Sequence, residues 1–319
     1  MKEKIKFVVK FCSYYSPKFV QRLIKEFNSK REKRLIIERM KRCKVSSKQI
    51  LSVLDKLELD CDVMLHTSRT NIGDLEGGVE FVSRAIFDKI NTQKHTLLVS
   101  ALPYRGSFAD FLSQKRTFDV RTAPIAMGAI NKYFANMPNA IRSIHPTHSV
   151  VALGPLAHEY VSEHHLGTTP FDVYSPYWKL IKNKGKVVLF GATLNNITCI
   201  CAVEDLIGGE YTSRIYLSNN FKVKCINQDG DTLFVNTICH NPRKSINRSI
   251  MFMRDGLIKN NIMKVYPLGE SEVTVIDIQK FAMYYLDLVY IGVTNRGKIR
   301  VSDELKSNII KSKKIIAGL

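Results

Sequence analysis

Between residues 46 and 100, strand-sized apolar runs alternate with stretches of helical period, an order that few architectures accept. Ser46-Ser-Lys-Gln49 has the form of a helix-capping box, and Ile50, Leu51, Val53, Leu54 and Leu57 follow at helical spacing. Residues 60–66 read as a strand, and 67–78 as a loop holding Gly73 and the pair Gly77-Gly78. Residues 79–90 read as a helix and 96–100 as a second strand. Such alternation predicts an α/β body. From residue 118 to about 206 the segments shorten and polar motifs crowd together. Beyond Tyr211, residues 222–235 read as two strands around an Asp229-Gly230 turn. Residues 276–286 and the basic tail after Ser302 read as helices, and no internal repeat or low-complexity linker appears.

The chain has 319 residues, 45% of them hydrophobic and 24% charged, which is globular composition and excludes wholesale disorder. No apolar run approaches the roughly 20 residues of a membrane-spanning helix, and residues 1–10 lack a signal-peptide core. A cytoplasmic protein is expected. Cysteines stand at 12, 43, 61, 199, 201, 225 and 239, an odd number at irregular spacing with no CxxC pair. That excludes a disulfide framework or structural zinc, and no metal is expected. Cys199 and Cys201, two apart in a strand-like stretch, read as buried thiols on one face.

Charge constrains the partners. The net formal charge of +19 attracts anionic partners. No zinc-finger spacing, RNA-recognition consensus or GxxG loop in a helical setting accompanies it, so phosphate-bearing small molecules fit as well as nucleic acid does. Much of the surplus lies before residue 48, where Phe19, Val20, Leu23, Ile24 and Phe27 recur at helical spacing. Residues 1–45 therefore read as a basic extension of one or two amphipathic helices, and 46–319 as the body. The extension is a candidate for docking on the body or for pairing two subunits as a homodimer.

Chemistry concentrates in three segments. His66-Thr-Ser-Arg-Thr-Asn-Ile-Gly73, followed by Gly77-Gly78, offers hydroxyls and backbone amides suited to phosphate. Residues 118–128 and Arg142-Ser-Ile-His-Pro-Thr-His-Ser149 put arginine, histidine and hydroxyls beside proline and glycine. Glu163-His-His165, Ser175-Pro176 and the run from Lys186 to Glu204 form the third. Cysteine catalysis from Cys239-His240 is disfavoured, because neighbouring side chains on a strand point to opposite faces.

These motifs in this order resemble the aminoglycoside 3-N-acetyltransferase family, which is distinct from the larger GNAT superfamily. Five short elements carry the resemblance across residues 60–206: His66-Thr-Ser with Gly77-Gly78; Arg121-Thr-Ala-Pro with Met127-Gly128; Arg142 to Ser149 with Ala-Leu-Gly-Pro-Leu-Ala; His165 with Ser175-Pro176; and Gly185-Lys-Val-Val-Leu-Phe-Gly191. The resemblance implies an α/β fold with a mixed central sheet flanked by helices. It also implies direct transfer to an amine from acetyl-CoA or a short hydroxyacyl-CoA. By matching position, Ser68, Thr122, Gly128, Arg142, Ser143 and His145 become candidates for holding the CoA arm. His165 becomes the catalytic base, Glu204 its orienting partner or the grip on the amine, and His148 the next candidate. The family histidine three residues before that glutamate is Cys201 here. The chemistry agrees, since an attacking amine must be neutral and histidine is the natural base near neutral pH. Hydroxyls and amides around Ser149 would steady the thioester oxyanion.

Among acceptors, the +19 charge favours a dTDP- or UDP-linked amino sugar of surface polysaccharide synthesis over a polycationic aminoglycoside. The antibiotic-modifying reading is the alternative, and a basic nucleic-acid or membrane binding protein on a degenerate transferase body is a second.

Overall fold

The computed structural model of the protein describes residues 18–245 and 248–318. α1 (Lys18–Arg42) is a single 25-residue helix with Leu23, Phe27, Leu35 and Ile37 exposed. Its C-terminal end is tied down. Arg39 donates to the Thr70 carbonyl at 2.8 Å, and Arg42 grips Glu270 through Nε at 2.5 Å and Nη2 at 2.7 Å. Residues 1–17 of the expected extension lie outside the described residues.

α2 (Ser47–Asp55) begins at the anticipated capping box. Ser46 Oγ accepts the Gln49 amide at 3.3 Å, and Gln49 Oε1 accepts the Ser46 amide at 2.9 Å. Two amide hydrogens that lack intrahelical acceptors are thereby satisfied. β1 (Val63–Thr67), α3 (Gly78–Ile90) and β2 (Leu97–Ser100) complete the first α/β layer. Next come α4 (Phe108–Ser113), β3 (Phe118–Asp119), α5 (Ala129–Ala135), β4 (Ile141–Arg142) and β5 (Val150–Leu153). α6 (Ala157–Val161), α7 (Pro176–Lys182), β6 (Lys186–Phe190), α8 (Cys199–Ile207) and α9 (Gly209–Ile215) follow. The C-terminal part holds β7 (Tyr216–Ile226), β8 (Thr232–His240), β9 (Met263–Leu268), β10 (Ser271–Asp277), α10 (Ile278–Tyr290) and α11 (Asp303–Ala317).

Seven strands form the central sheet in the order β9-β10-β6-β1-β2-β5-β4. The middle strands β6, β1 and β2 are parallel, while the neighbours on both flanks run antiparallel. The expected mixed sheet is therefore present. Val63 to Leu65 and Val187 to Phe190 are continuous apolar runs because helices cover both faces of these strands. Alternate side chains serve two cores, as period-2 geometry requires. Met64, Leu98, Val187 and Leu189 face α7, α8 and α10; Val63, Leu65, Val99 and Phe190 face α2, α3 and α5.

A smaller sheet, β8-β7-β3, is built on the hairpin read around Asp229-Gly230, with Gly230 at φ 95. One reading is corrected. Cys199 and Cys201 lie in α8, where residues two apart point in widely different directions. Both are buried because seven of that helix's nine residues are enclosed. Among the described residues no helix is long and apolar enough to cross a membrane.

Candidate active site

β1, β2 and β6 end on the same rim, the place where ligands collect in sheets of this kind. Thr67 Oγ1 donates to Asn131 Oδ1 at 2.9 Å, and Asn131 Nδ2 donates to the Ser100 carbonyl at 2.9 Å. The Ser68 amide donates to the Phe190 carbonyl at 2.9 Å, and Asn71 Nδ2 donates to the Gly191 carbonyl at 3.0 Å. Gly191, at φ 70, leaves no room for a side chain; a Cβ would stand 2.6 Å from the Ser68 carbonyl. Gly128 caps α5 at φ −63, and a Cβ there would only touch Thr67 Oγ1 at 3.7 Å. Ser68 and Gly128 thus share the rim, and Thr122 sits exposed on the turn after β3. His66, on β1, is pushed down to about 4 by burial and stays neutral.

Three other residues expected on the CoA arm hold the loops together instead. Arg142 Nη1 donates to the Ala123 carbonyl at 2.5 Å, Nη2 to Ala101 at 2.7 Å, and Nε to Ser149 Oγ at 3.1 Å. The guanidinium also lies over the Phe118 ring at 5.2 Å. With its hydrogens on carbonyls, it clasps the loops at 101, 123 and 149 rather than presenting a phosphate site. Ser149 Oγ donates to Ala101 at 2.6 Å, which removes it as an oxyanion donor.

Ser143 and His145 are enclosed in the same way. His164 Nε2 lies 3.0 Å from the Pro170 carbonyl, which can only accept, so the proton is assigned to Nε2. Nδ1 then accepts from Ser143 Oγ at 2.8 Å, and Ser143 Oγ in turn accepts the Val150 amide at 2.9 Å. His145 Nδ1 accepts the Thr147 and His148 amides at 3.3 and 3.1 Å, and its ring stacks on His164 at 4.6 Å. Burial holds His164 at about 3 and His145 well below the usual histidine range, so both are neutral props.

The wall of the site is aromatic. The edges and faces of Phe108 and Phe171 meet His148 at 5.0 and 4.7 Å, and Phe171 stacks on His240 at 5.4 Å. His148 Nδ1 bonds Thr147 Oγ1 at 2.9 Å. Burial, then the neighbouring His240, His164 and Arg248, hold His148 well below the usual range. His165 is half-buried, with Nδ1 enclosed and without a hydrogen-bond partner among the described residues. It is the histidine of this group with a nitrogen unused by the fold on a partly open ring.

Glu204 is fully buried on α8. Its Oε1 accepts Tyr211 OH at 3.1 Å, Tyr285 OH at 3.2 Å and a short ion pair from Arg296 Nη1. None of these partners is His165, so the expected orienting bond between Glu204 and His165 is replaced by a pairing with Arg296. Sequence reading missed Arg296, Asn295, Tyr211 and Tyr285. The sole local signal was the tight Thr294-Asn-Arg-Gly297 turn, which carries polar residues into the interior.

Asp205 sits beside this pair, accepting Tyr216 OH at 2.6 Å and the Thr169 hydroxyl. Burial pushes its carboxyl up to about 7, against the pull of those hydroxyls. An unfolded aspartate titrates near about 4. Between those values the folded state keeps a proton that the unfolded chain releases. Stability therefore falls as pH rises through this window, by up to about 1.4 kcal/mol per pH unit from this group. Unfolding free energies measured from pH about 4.5 to about 7.5 should show this loss in the wild type and its absence in Asp205→Asn. Equal slopes would remove the assignment.

Cys239 offers no nucleophile, since burial pushes its thiol up to about 11.

The sequence model of the aminoglycoside 3-N-acetyltransferase family matches residues 64–289. Over 169 residues the chain is 31% identical to aminoglycoside N(3)-acetyltransferase III of a Salmonella species, covering 49% of this chain and 58% of that protein. Over 162 residues it is 32% identical to aminoglycoside N(3)-acetyltransferase IX of Micromonospora chalcea, covering 45% and 55%. The chain thus spans little more than half the length of these curated relatives. Two solved structures share the fold. Aminoglycoside acetyltransferase AAC(3)-Xa superposes with a TM-score of 0.61 at 19% identity, covering 89% of this chain and 98% of the other. AAC-IIIb in its binary complex with CoASH gives 0.63 at 18% identity, covering 81% and 100%. The matched span takes in the parallel strands, the clasp at Arg142 and the histidine cluster, and on that basis the chain belongs to the aminoglycoside 3-N-acetyltransferase family.

Proposed function

We propose that the protein transfers an acetyl group from acetyl-CoA to an amine of an aminoglycoside, in the cytoplasm where that donor is available. The observation that carries the reading is His165: a half-buried ring whose Nδ1 has no hydrogen-bond partner among the described residues, inside the span that matches the family. The donor supplies an acetyl thioester. Ser68, Thr122 and Gly128, on or near the open rim, are the residues left to hold its polar arm. His165 takes a proton from the acceptor ammonium, and the freed nitrogen attacks the thioester carbon; as the C–N bond forms and the C–S bond breaks, the nitrogen's second proton is lost and the departing sulfur is protonated, giving the amide and the thiol. Arg142, Ser143 and His145 act through the loops that they brace.

The nucleotide-linked amino sugar expected from net charge is set aside, because the curated relatives are named aminoglycoside N(3)-acetyltransferases. The charge argument failed for a physical reason. Residues 1–48 hold sixteen Lys and Arg against four acids, which is twelve of the nineteen net charges, and they lie outside the matched span. Overall charge therefore says little about the cleft.

Thiol release from acetyl-CoA should be stimulated by kanamycin or gentamicin, with acetylated antibiotic seen by mass spectrometry. Silence with every aminoglycoside at saturating donor would sink the reading.

A further inference from the structure

We propose that the buried end of the site around Arg296 binds a carboxylate-sized anion. Arg296 Nε and Nη2, Arg248 Nε and Asn295 Nδ2 are enclosed donors with no acceptor among the described residues. His240 Nε2 is enclosed and unpaired as well, and the one unpaired acceptor beside them is Glu204 Oε2. These groups meet in one place. Arg296 Nη1 bonds both Glu204 and Asn295 Oδ1, and ligand atoms of Glu204, His240 and Cys201 lie within 4.8 Å of one another. Arg296 and Arg248 both depress the proton affinity of His240.

Each buried donor left unpaired costs about 1–3 kcal/mol, so four of them with one unpaired acceptor describe a place short of acceptors. The charges agree, since Arg296 is paired with Glu204 and a second guanidinium, Arg248, acts on the neighbouring His240 and Cys201. Asp205, nearby, has both oxygens occupied by hydroxyls. A divalent cation on Cys201, Glu204 and His240 is opposed by those guanidiniums and by a thiol that burial pushes up to about 12. A guanidinium fork matches the two oxygens of a carboxylate.

That anion has two sources: a free carboxylate or halide, or an acidic group on the acceptor. Binding is read on the full chain by titration calorimetry with sodium acetate and with sodium chloride. Arg296→Gln and Arg248→Gln are compared with the surface control Arg84→Gln. The expected result is saturable one-to-one binding in the wild type and control, weakened at least tenfold in both site variants. Arg248→Gln, which breaks no ion pair described here, keeps the test open if Arg296→Gln does not fold. No saturable binding, or equal binding in all four proteins, overturns the proposal.

The binding arm is independent of the acetyl-transfer reading; a second arm, which separates the sources, rests on it. If acetate competes against 2-amino-2-deoxyglucuronate as acceptor, the site receives an acid on the acceptor. If acetate leaves that acceptor unaffected and instead raises turnover with kanamycin, the site receives a free anion. No effect on either acceptor, despite binding, overturns its connection to the acceptor.

Discussion

Replacing His165 with asparagine lowers kcat for acetyl transfer by about 10²–10⁴-fold, the range that a positioned general base contributes. The unfolding free energy stays within about 0.5 kcal/mol, because the half-buried ring leaves its Nδ1 unpaired and the variant breaks no bond described in the fold. The contrast with His148 makes the test specific. His148→Asn removes the Thr147 bond and the Phe108 and Phe171 contacts, so it lowers stability along with activity. Thiol-release kinetics beside urea unfolding separate the two. Near-normal turnover in His165→Asn, together with loss in His148→Asn, would transfer the base role to His148.

Arg296→Met destabilises the protein by about 3–5 kcal/mol, since it strands the Glu204 carboxylate in an interior where Tyr211 and Tyr285 are its remaining donors. A buried pair behaves differently when both partners go. Glu204→Gln with Arg296→Met recovers most of that loss, because an amide tolerates the two hydroxyls without a cation. Urea unfolding of the two single variants and the double variant gives the coupling energy. Additive losses would mean that the pair is not a unit. The double variant also lacks the guanidinium proposed to receive an anion, so it should be stable and unresponsive to acetate.

The fold was legible where local chemistry is self-sufficient. Ser46 and Gln49 form their capping box within four residues, and Asp229-Gly230 turns a hairpin whose strands are neighbours in sequence. The run from Cys199 to Val203 misled because its five residues are all enclosed and show no polar face to reveal the helical period, so Cys-Ile-Cys-Ala-Val looks like a strand. Site residues divided in the same way. His145 and His148 did fall together, but the ring that joins them is His164, the neighbour of the expected His165. Arg142 became a candidate for the CoA arm by matching position, and sequence does not tell which carbonyls surround its guanidinium. Arg296 reaches Glu204 across ninety-two residues, and nothing local to either one signals that meeting.

The strand order also sets a timetable for synthesis. β1 completes its pairing only with β6, more than a hundred residues later, and β6 in turn borders β10, at residues 271–277. A nascent chain therefore has no closed sheet until nearly all of it has left the ribosome. Until then Val63, Leu65 and Val187 to Phe190 are apolar edges open to other chains. Recruitment of holdase chaperones during translation, and poor recovery of fragments cut before residue 277, follow from that order of pairing.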